Sequence, residues 1–226
     1  PGWPAAEFMP DGRRVATTSW EGHDDSARAV TLWDLRTGEE LPMGPTISLD
    51  ELYAFDVRPD GGSIAGGGSS DPNGLGGSSS VRAWDLATGE EAYRFGHFLD
   101  VNEVAFSPSG EYLATASWDR TAKIVDRSGR LVQELAQDVF NISDVAFSSD
   151  DRLVATAEVV TLGGESRVVI WDWARGRILH TIDAESDFPQ VEFDPTGPRV
   201  ALTGSGGLVE IWNAETGERE AVLAGH

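Results

Sequence analysis

The sequence predicts an all-β protein built from five copies of one small antiparallel unit. Two series of recurring residue patterns along the chain support this fold class, and we call the residue pairs of the first series marks. The first series is an apolar-rich run that ends in a Trp-Asp pair or a close variant of it: Trp33-Asp34, Trp84-Asp85, Val125-Asp126, Trp171-Asp172 and Trp212-Asn213. Successive marks lie 51, 41, 46 and 41 residues apart. A repeat of this period indicates a supersecondary unit that buries its faces only by stacking on its neighbours.

The second series consists of tight turns on both sides of each mark. Upstream, an aromatic residue precedes a turn rich in Pro, Asp, Ser and Gly, as in Phe106-Ser107-Pro108-Ser109-Gly110. Downstream, a shorter turn follows, as in Thr37-Gly38-Glu39. Pro presets φ at the first central position, Asp or Ser caps the turn, and Gly takes the left-handed position. Because short β-prone stretches run between the turns, each unit is predicted to form four short antiparallel strands.

These residues resemble the WD-repeat β-propellers, whose blades are four-stranded sheets around a central channel. The third unit is the most similar, with Gly96-His97, the Pro108-Ser109-Gly110 turn, Asp119 and Val125-Asp126. The resemblance covers essentially the whole chain and implies one propeller segment with blades at approximately 1–49, 50–99, 100–139, 140–186 and 187–226.

The number of blades in the complete ring is a separate expectation. Members of the family most often have seven blades, and Gly225-His226 has the form of the start of a further repeat. We therefore expect a five-repeat segment of a longer chain, with two further blades outside it. Closure of five blades on themselves and assembly of several chains are the alternatives.

The resemblance also implies structural roles for particular residues. The hydrogen-bond network of His, Ser or Thr, Asp and Trp that is typical of the family maps onto His97, Ser117 and Asp119, although Val125 replaces the Trp in that blade. In the other blades an insertion or Gly207 displaces the network turn, so packing is expected to replace the polar network. The marks in those blades are expected to be structural: Trp33, Asp34, Trp84, Asp85, Trp171, Asp172 and Trp212.

Unequal spacing locates insertions between the second and third strands of three blades. The interval from the last turn residue to the Asp or Asn is 16 residues in blades three and five, but 22, 24 and 21 in blades one, two and four. The resemblance places this connection on the face that carries the Gly-His loops, and insertions on one face often mark a binding face. Tolerated surface variation is the alternative. The partner-binding candidates are Trp20, His23, Asp24, Asp25, Trp118, Arg120, Glu158, Leu162 and Glu165.

Composition restricts the classes of partner. The formal net charge is -21, from 38 acidic and 17 basic residues, which argues against nucleic acid and anionic membranes as direct partners. The excess of acid favours either simple solubility or a preference for basic protein segments. The absence of Cys excludes disulfides and thiolate metal sites. Lys123 is the single Lys, a skew towards Arg that suggests a GC-rich, bacterial genome; a cytoplasmic location is expected.

No motif of catalysis is present in the sequence. The four His residues lack metal-ligand spacing, and no Gly-rich stretch leads into a predicted helix. We therefore predict a non-catalytic protein–protein interaction scaffold without metal or cofactor, which is the regulatory or sensory arm of a larger multidomain protein. The alternative is a small-ligand or enzymatic propeller with an acidic central pocket. Its carboxylates would be Glu7, Asp56, Glu103, Asp144 and Glu192, some of which strand alternation is expected to turn outward.

Overall fold

The computed structural model describes residues 6–18, 28–41, 48–49, 52–68, 79–161, 164–184, 186, 188–203 and 207–224. These residues form five antiparallel sheets, each with its first four strands in sequential order, which confirms the predicted fold class. Trp173–Arg175 form a 3-10 turn. None of the described residues belongs to a helix with the length and apolar character needed to cross a membrane.

The strands fall into five sheets in chain order. Sheet 1 contains β1 (Ala6–Phe8), β2 (Arg14–Thr18), β3 (Arg28–Asp34) and β4 (Glu40–Leu41), with a short β5 (Ser48–Leu49) also paired to β3. Sheet 2 contains β6 (Leu52–Val57), β7 (Ser63–Gly68), β8 (Ser79–Asp85) and β9 (Glu91–His97). Sheet 3 contains β10 (Val101–Phe106), β11 (Tyr112–Ser117), β12 (Thr121–Asp126) and β13 (Leu131–Ala136). Sheet 4 contains β14 (Asn141–Phe147), β15 (Leu153–Val159), β16 (Ser166–Asp172) and β17 (Arg177–Ala184). Sheet 5 contains β18 (Val191–Phe193), β19 (Arg199–Thr203), β20 (Val209–Asn213) and β21 (Arg219–Leu223).

In four of the five marks the polar residue caps the turn that follows it, whereas Asp172 makes no side-chain cap bond and pairs with Arg175 at 2.7 Å. Asp34 Oδ1 accepts the backbone N–H groups of Arg36 and Thr37 at 2.8 and 2.9 Å. Asp85 does the same in sheet 2, and the amide oxygen of Asn213 does it in sheet 5. This explains why Asn replaces Asp in the last mark without loss of the turn, since one acceptor oxygen is enough.

The core is divided into four apolar clusters, one between each pair of consecutive sheets. Each sheet presents small and aliphatic residues of its second and third strands to the sheet that follows. In return, the following sheet presents the apolar residue of its mark. In the cluster between sheets 1 and 2, for example, Ala16 and Leu32 of the first pack with Ile64 and Trp84 of the second. The strand repeat therefore generates a repeated interface, as the period of the sequence predicts.

The first and last sheets each keep one face partly uncovered by the described residues. In sheet 1, Phe8 is 73% exposed and Trp33 is half-buried, whereas the equivalent Trp84 and Trp171 are buried. In sheet 5, Ile211 is half-buried, whereas the equivalent Ile170 is fully buried. Both end faces thus have the composition of an inter-sheet interface, but no described sheet packs on them as one does on the corresponding faces inside the protein.

Candidate functional site: the loop face and the central channel

Antiparallel strand order places two kinds of connection at opposite edges of each sheet. The hairpin turns between strands one and two, and between strands three and four, lie at one edge, which we call the turn face. The connections between strands two and three, and those between consecutive sheets, lie at the other edge, which we call the loop face. Of the partner-binding candidates, Trp20, His23, Asp24, Asp25 and Leu162 lie outside the described residues.

Trp118 and Arg120 lie on the loop face, in the short connection between β11 and β12. The Trp118 indole Nε1 donates to Asn102 Oδ1 at 2.7 Å, and its ring packs edge-on against Phe140 at 5.4 Å between centroids. The ring is half-buried, so part of it faces solvent. Arg120 is exposed and takes a left-handed backbone conformation, with φ of 72°. Both side chains are thus available on the surface, Trp118 in a fixed orientation.

Glu158 is a different case, and its assignment to a partner surface is wrong. Its side chain is 0% exposed, since β15 continues past the expected insertion and carries Glu158 into the sheet. One carboxylate oxygen accepts from Thr156 Oγ1 at 2.9 Å and the other accepts from Arg167 Nε at 2.8 Å. Burial raises the pKa of Glu158, and Arg167 opposes that effect. Glu165, by contrast, is exposed at the tip of this connection.

His97 and Asp119 form the centre of a polar network, as the family resemblance implies for this blade. Asp119 Oδ2 lies 2.9 Å from His97 Nδ1, and Thr115 Oγ1 lies 2.7 Å from His97 Nε2. Burial acts to raise the pKa of Asp119, but the hydrogen bond and charge of His97 outweigh it and hold this pKa well below its usual range. The hydroxyls in contact with His97 belong to Thr115 and, at 3.2 Å, to Thr121, and not to Ser117, a correction to the sequence-based assignment.

Ser117 instead connects the network to the neighbouring loop. Its Oγ accepts the backbone N–H of Asp119 at 3.0 Å and donates to the carbonyl of Leu99 at 3.2 Å. Because side chains alternate along a strand, Thr115 and Ser117 share a face of β11, and only their depth in the sheet separates their roles.

In two sheets the Trp of the mark donates to a Thr of the second strand, at the position equivalent to Thr115, which contacts His97 in sheet 3. Trp33 Nε1 donates to Thr17 Oγ1 at 2.8 Å, and Trp171 Nε1 donates to Thr156 Oγ1 at 3.0 Å. In sheet 4 the Thr in turn donates to Glu158, so Glu158 and Arg167 occupy the role that His97 and Asp119 have in sheet 3. Trp212 departs from this pattern and donates to Glu210 Oε2 at 2.8 Å.

Two exposed aromatic residues on the loop face were not among the sequence-based candidates. Phe98 is 81% exposed in the connection between sheets 2 and 3, and Phe188 is 66% exposed in the connection between sheets 4 and 5. The first connection is held in place: the Phe98 N–H donates to Asp119 Oδ2 at 2.9 Å, and the Trp118 N–H donates to the Asp100 carbonyl at 2.9 Å. The signal available in the sequence was an aromatic residue directly after Gly96-His97.

The innermost strands border a cavity of about 580 Å³ at the centre of the sheets. It is lined by the five carboxylates of these innermost strands: Glu7, Asp56, Glu103, Asp144 and Glu192. The expectation that alternation turns some of them outward is therefore wrong. A bulge displaces the register of β10 and β14 directly before Glu103 and Asp144, which changes the simple alternation there.

Burial raises the pKa of these carboxyl groups, and their mutual repulsion adds to the effect. The pKa of Glu103 is raised to about 8, and those of Asp56 and Asp144 to about 7. The pKa values of Glu7 and Glu192 are also raised, chiefly by burial. Across the described ranges, no group of three or more His, Asp or Glu side chains is arranged to hold a metal ion.

Two of these carboxylates join neighbouring sheets. Asp56 accepts the N–H of Val57 in its own strand and that of Phe106 in the next sheet, both at 2.6 Å. Asp144 accepts the N–H of Val145 and that of Val191 in the next sheet, both at 2.8 Å. Because both oxygens of each residue are occupied by backbone donors, these two side chains fasten the inner strands to each other.

Comparison with known proteins agrees with this architecture. Residues 89–126 and 129–172 match the model of the WD domain, G-beta repeat. The chain is 26% identical over 145 residues to telomerase protein component 1 of Mus musculus, covering 63% of this chain and 5% of that protein. It is 26% identical over 168 residues to a guanine nucleotide-binding protein subunit beta of Oryza sativa subsp. japonica, covering 66% and 40%. It is 34% identical over 128 residues to WD repeat-containing protein SL1-17 of Schistosoma mansoni, covering 55% and 37%.

The chain thus spans less than half the length of each of these relatives. All three are eukaryotic, so they do not support the bacterial origin that the Arg-rich composition suggests. The matched segments begin in the last turn of sheet 2 and end with the mark of sheet 4, which includes the His97–Asp119 network and the Trp171 mark. In these segments, and in its five sheets of propeller type, the chain is similar to the WD-repeat proteins.

Proposed function

We propose that this chain is a non-catalytic protein-interaction scaffold that binds its partner through the loop face. The observation that carries the proposal is the pair of exposed aromatic residues, Phe98 and Phe188, on two inter-sheet connections of that face. Exposed aromatic side chains on a rigid framework are typical of protein interfaces, where they supply much of the binding energy. The names of two relatives, a "component" and a "subunit", are in keeping with proteins that work in assemblies.

Site-specific photo-crosslinking tests this proposal. A photoreactive phenylalanine analogue replaces Phe98 in one version of the full-length protein and Leu35 in the other. Leu35 is a matched control, because it is 47% exposed in a turn of the opposite face. We expect light-dependent adducts of discrete mass from position 98 in cells of the source organism, and few or none from position 35.

The central cavity does not support the alternative of an acidic ligand pocket equally well. Its five carboxylates do converge, which favours that alternative. However, Asp56 and Asp144 use both oxygens to bond backbone N–H groups, and burial raises the pKa values of these two residues to about 7 and that of Glu103 to about 8, so that these three are partly protonated at neutral pH. Such carboxyl groups are poor ligands for a cation, and we assign them a structural role.

We further propose that additional sheets of the same type cover the end faces of sheets 1 and 5, as part of a larger multidomain protein in the cytoplasm. The support is that Phe8 and Trp33 at one end, and Ile211 at the other, occupy positions that are buried in the internal interfaces. Hydrogen exchange of β1–β3 and β20 should be at least about tenfold slower in the full-length protein than in this chain. Equal exchange rates would exclude such cover.

A further inference from the structure

We propose that the partner of the loop face is a basic, amphipathic protein segment, with apolar side chains that pack on the exposed aromatics and Lys or Arg side chains that face the surrounding carboxylates. The inference rests on the proposed function and names the chemistry of the partner. It is carried by two independent properties of the loop face, its fixed apolar anchors and its charge.

The apolar anchors are held by the framework before any partner binds. Phe98 and Leu99 are both exposed, while backbone and side-chain hydrogen bonds from Asp119 and Ser117 fix the connection that carries them. Next to it, Trp118 packs on Phe140 and is oriented by Asn102. A connection whose backbone is already ordered loses less conformational entropy on binding, so these anchors are well suited to gain affinity from apolar contacts.

Charge is divided between the two faces of the molecule. Eleven of the 17 cationic residues lie in the hairpin turns of the turn face or directly after them, where carboxylates such as Asp11, Asp60 and Asp126 pair with several of them. These eleven are Arg13, Arg14, Arg36, Arg58, Arg127, Arg130, Arg152, Arg175, Arg177, Arg199 and Arg219. Counted in the same way and with the Asp residues of the marks included, these turns carry 16 acidic residues against the eleven cations, a net charge of -5, so most of the formal net charge of -21 lies elsewhere.

The loop face carries part of that excess. Along its described connections, Asp100, Asp138 and Glu165 have carboxylates without an ion pair, and Arg120 is the one cation. A surface of one sign attracts partners of the opposite sign and increases their association rate. A basic segment satisfies this charge, whereas an acidic one is repelled.

The test uses two fluorescein-labelled 14-residue peptides, one of Leu and Lys in an amphipathic helical pattern and one with Glu in place of every Lys. Their affinities for the protein are measured by fluorescence anisotropy at about 0.1 M salt, where surface charges still interact over about 10 Å. We expect binding of the Leu/Lys peptide and none of the Leu/Glu peptide. A Phe98→Ser, Phe188→Ser double variant should bind the Leu/Lys peptide about tenfold or more weakly, as loss of aromatic anchors implies.

Leu35→Ser is the matched control, since it removes an exposed apolar side chain from the turn face and should leave the affinity unchanged. Three results would overturn the inference: no binding of the Leu/Lys peptide, equal binding of the Leu/Glu peptide, or an unchanged affinity in the double variant. If crosslinks from position 98 persist in any of these cases, the proposed function stands and only the chemistry of the partner is wrong.

Discussion

Replacement of Arg167 by Met is expected to destabilise the protein by about 2–4 kcal/mol, because it leaves a buried carboxylate without its cation. Glu158 is 0% exposed, and Arg167 Nε donates to it at 2.8 Å. Arg167 also donates to Gln137 Oε1 at 3.0 Å, which links sheet 4 to the connection that precedes it. Met retains most of the apolar stem, so the change removes the charge and the hydrogen bonds more than the packing.

The expected loss depends on pH. Burial already raises the pKa of Glu158, and removal of Arg167 takes away the interaction that opposes this effect. In the variant, the folded state therefore binds a proton at Glu158 more readily than the unfolded state, so the loss relative to wild type becomes smaller as pH falls towards 4.5. Urea unfolding at several pH values measures both the size of the loss and its pH dependence.

Two variants control for this interpretation. Arg152→Met removes a cation that is 64% exposed and pairs with Asp150 and Glu215, and we expect it to cost at most about 0.5–1 kcal/mol. Glu158→Gln combined with Arg167→Met should recover part of the lost stability, because no charge remains buried. A loss as small as that of Arg152→Met would show that Arg167 does not neutralise Glu158 in the folded protein.

The second large effect is a loss of stability as pH rises from about 5 to 8, caused by the carboxyl groups of the central cavity. The pKa values of Glu103, Asp56 and Asp144 are raised to about 8, 7 and 7, so each binds a proton more tightly in the folded state than in the unfolded chain. That contribution is full below the unfolded pKa near 4 and disappears as pH rises through the folded values. Each pKa unit corresponds to about 1.4 kcal/mol, so the three shifts set an upper limit of roughly 10 kcal/mol on the combined loss between pH 5 and 8.

Other carboxylates reverse this trend in acid. Hydrogen bonds in the turns lower the pKa of Asp126 to about 2 and also lower those of Asp34 and Asp85. Their contribution is present above the unfolded pKa and is lost as pH falls below about 4. Stability should therefore be greatest near pH 5.

The Glu103→Gln variant distinguishes the contribution of the cavity carboxyl groups to the pH dependence of stability from that of the other carboxylates. The Gln oxygen can still accept the Val104 N–H that Glu103 accepts at 3.0 Å, so the variant removes the charge without breaking that bond. We expect higher stability than wild type at pH 8 and a smaller slope between pH 5 and 8. Glu134→Gln, at an exposed position of β13, should leave the slope unchanged. An unchanged slope in Glu103→Gln would mean that Glu103 does not titrate as described.

The repeat, the strands and the turns could be predicted from the sequence because the chemistry that determines them is local. The turn before each mark is determined by four or five adjacent residues. Gly110, for example, adopts a positive φ of 70°, as that pattern predicts. Even the substitution of Asn213 for Asp kept its turn, because the bonds involved reach only two or three residues along the chain.

The features that the sequence did not predict depend on contacts between distant segments. Asp56 bonds to Phe106, 50 residues away, and this contact between two sheets has no local signal in the sequence. Glu158 was assigned to the surface because its stretch has the length of an insertion, but pairing of Val159 with Ser166 extends the hairpin and buries it. The exposure of Phe98 likewise depends on Asp119, which lies in the following sheet.

Crosslinking from the two faces in the full-length protein tests the central claim most directly, namely that the loop face binds a protein partner. With the photoreactive residue at position 98, we predict discrete adducts whose yield falls when Phe188 is also replaced by Ser. With the photoreactive residue at position 35, we predict no corresponding adducts. Adducts of equal mass and yield from position 35, or none from position 98, would contradict the account.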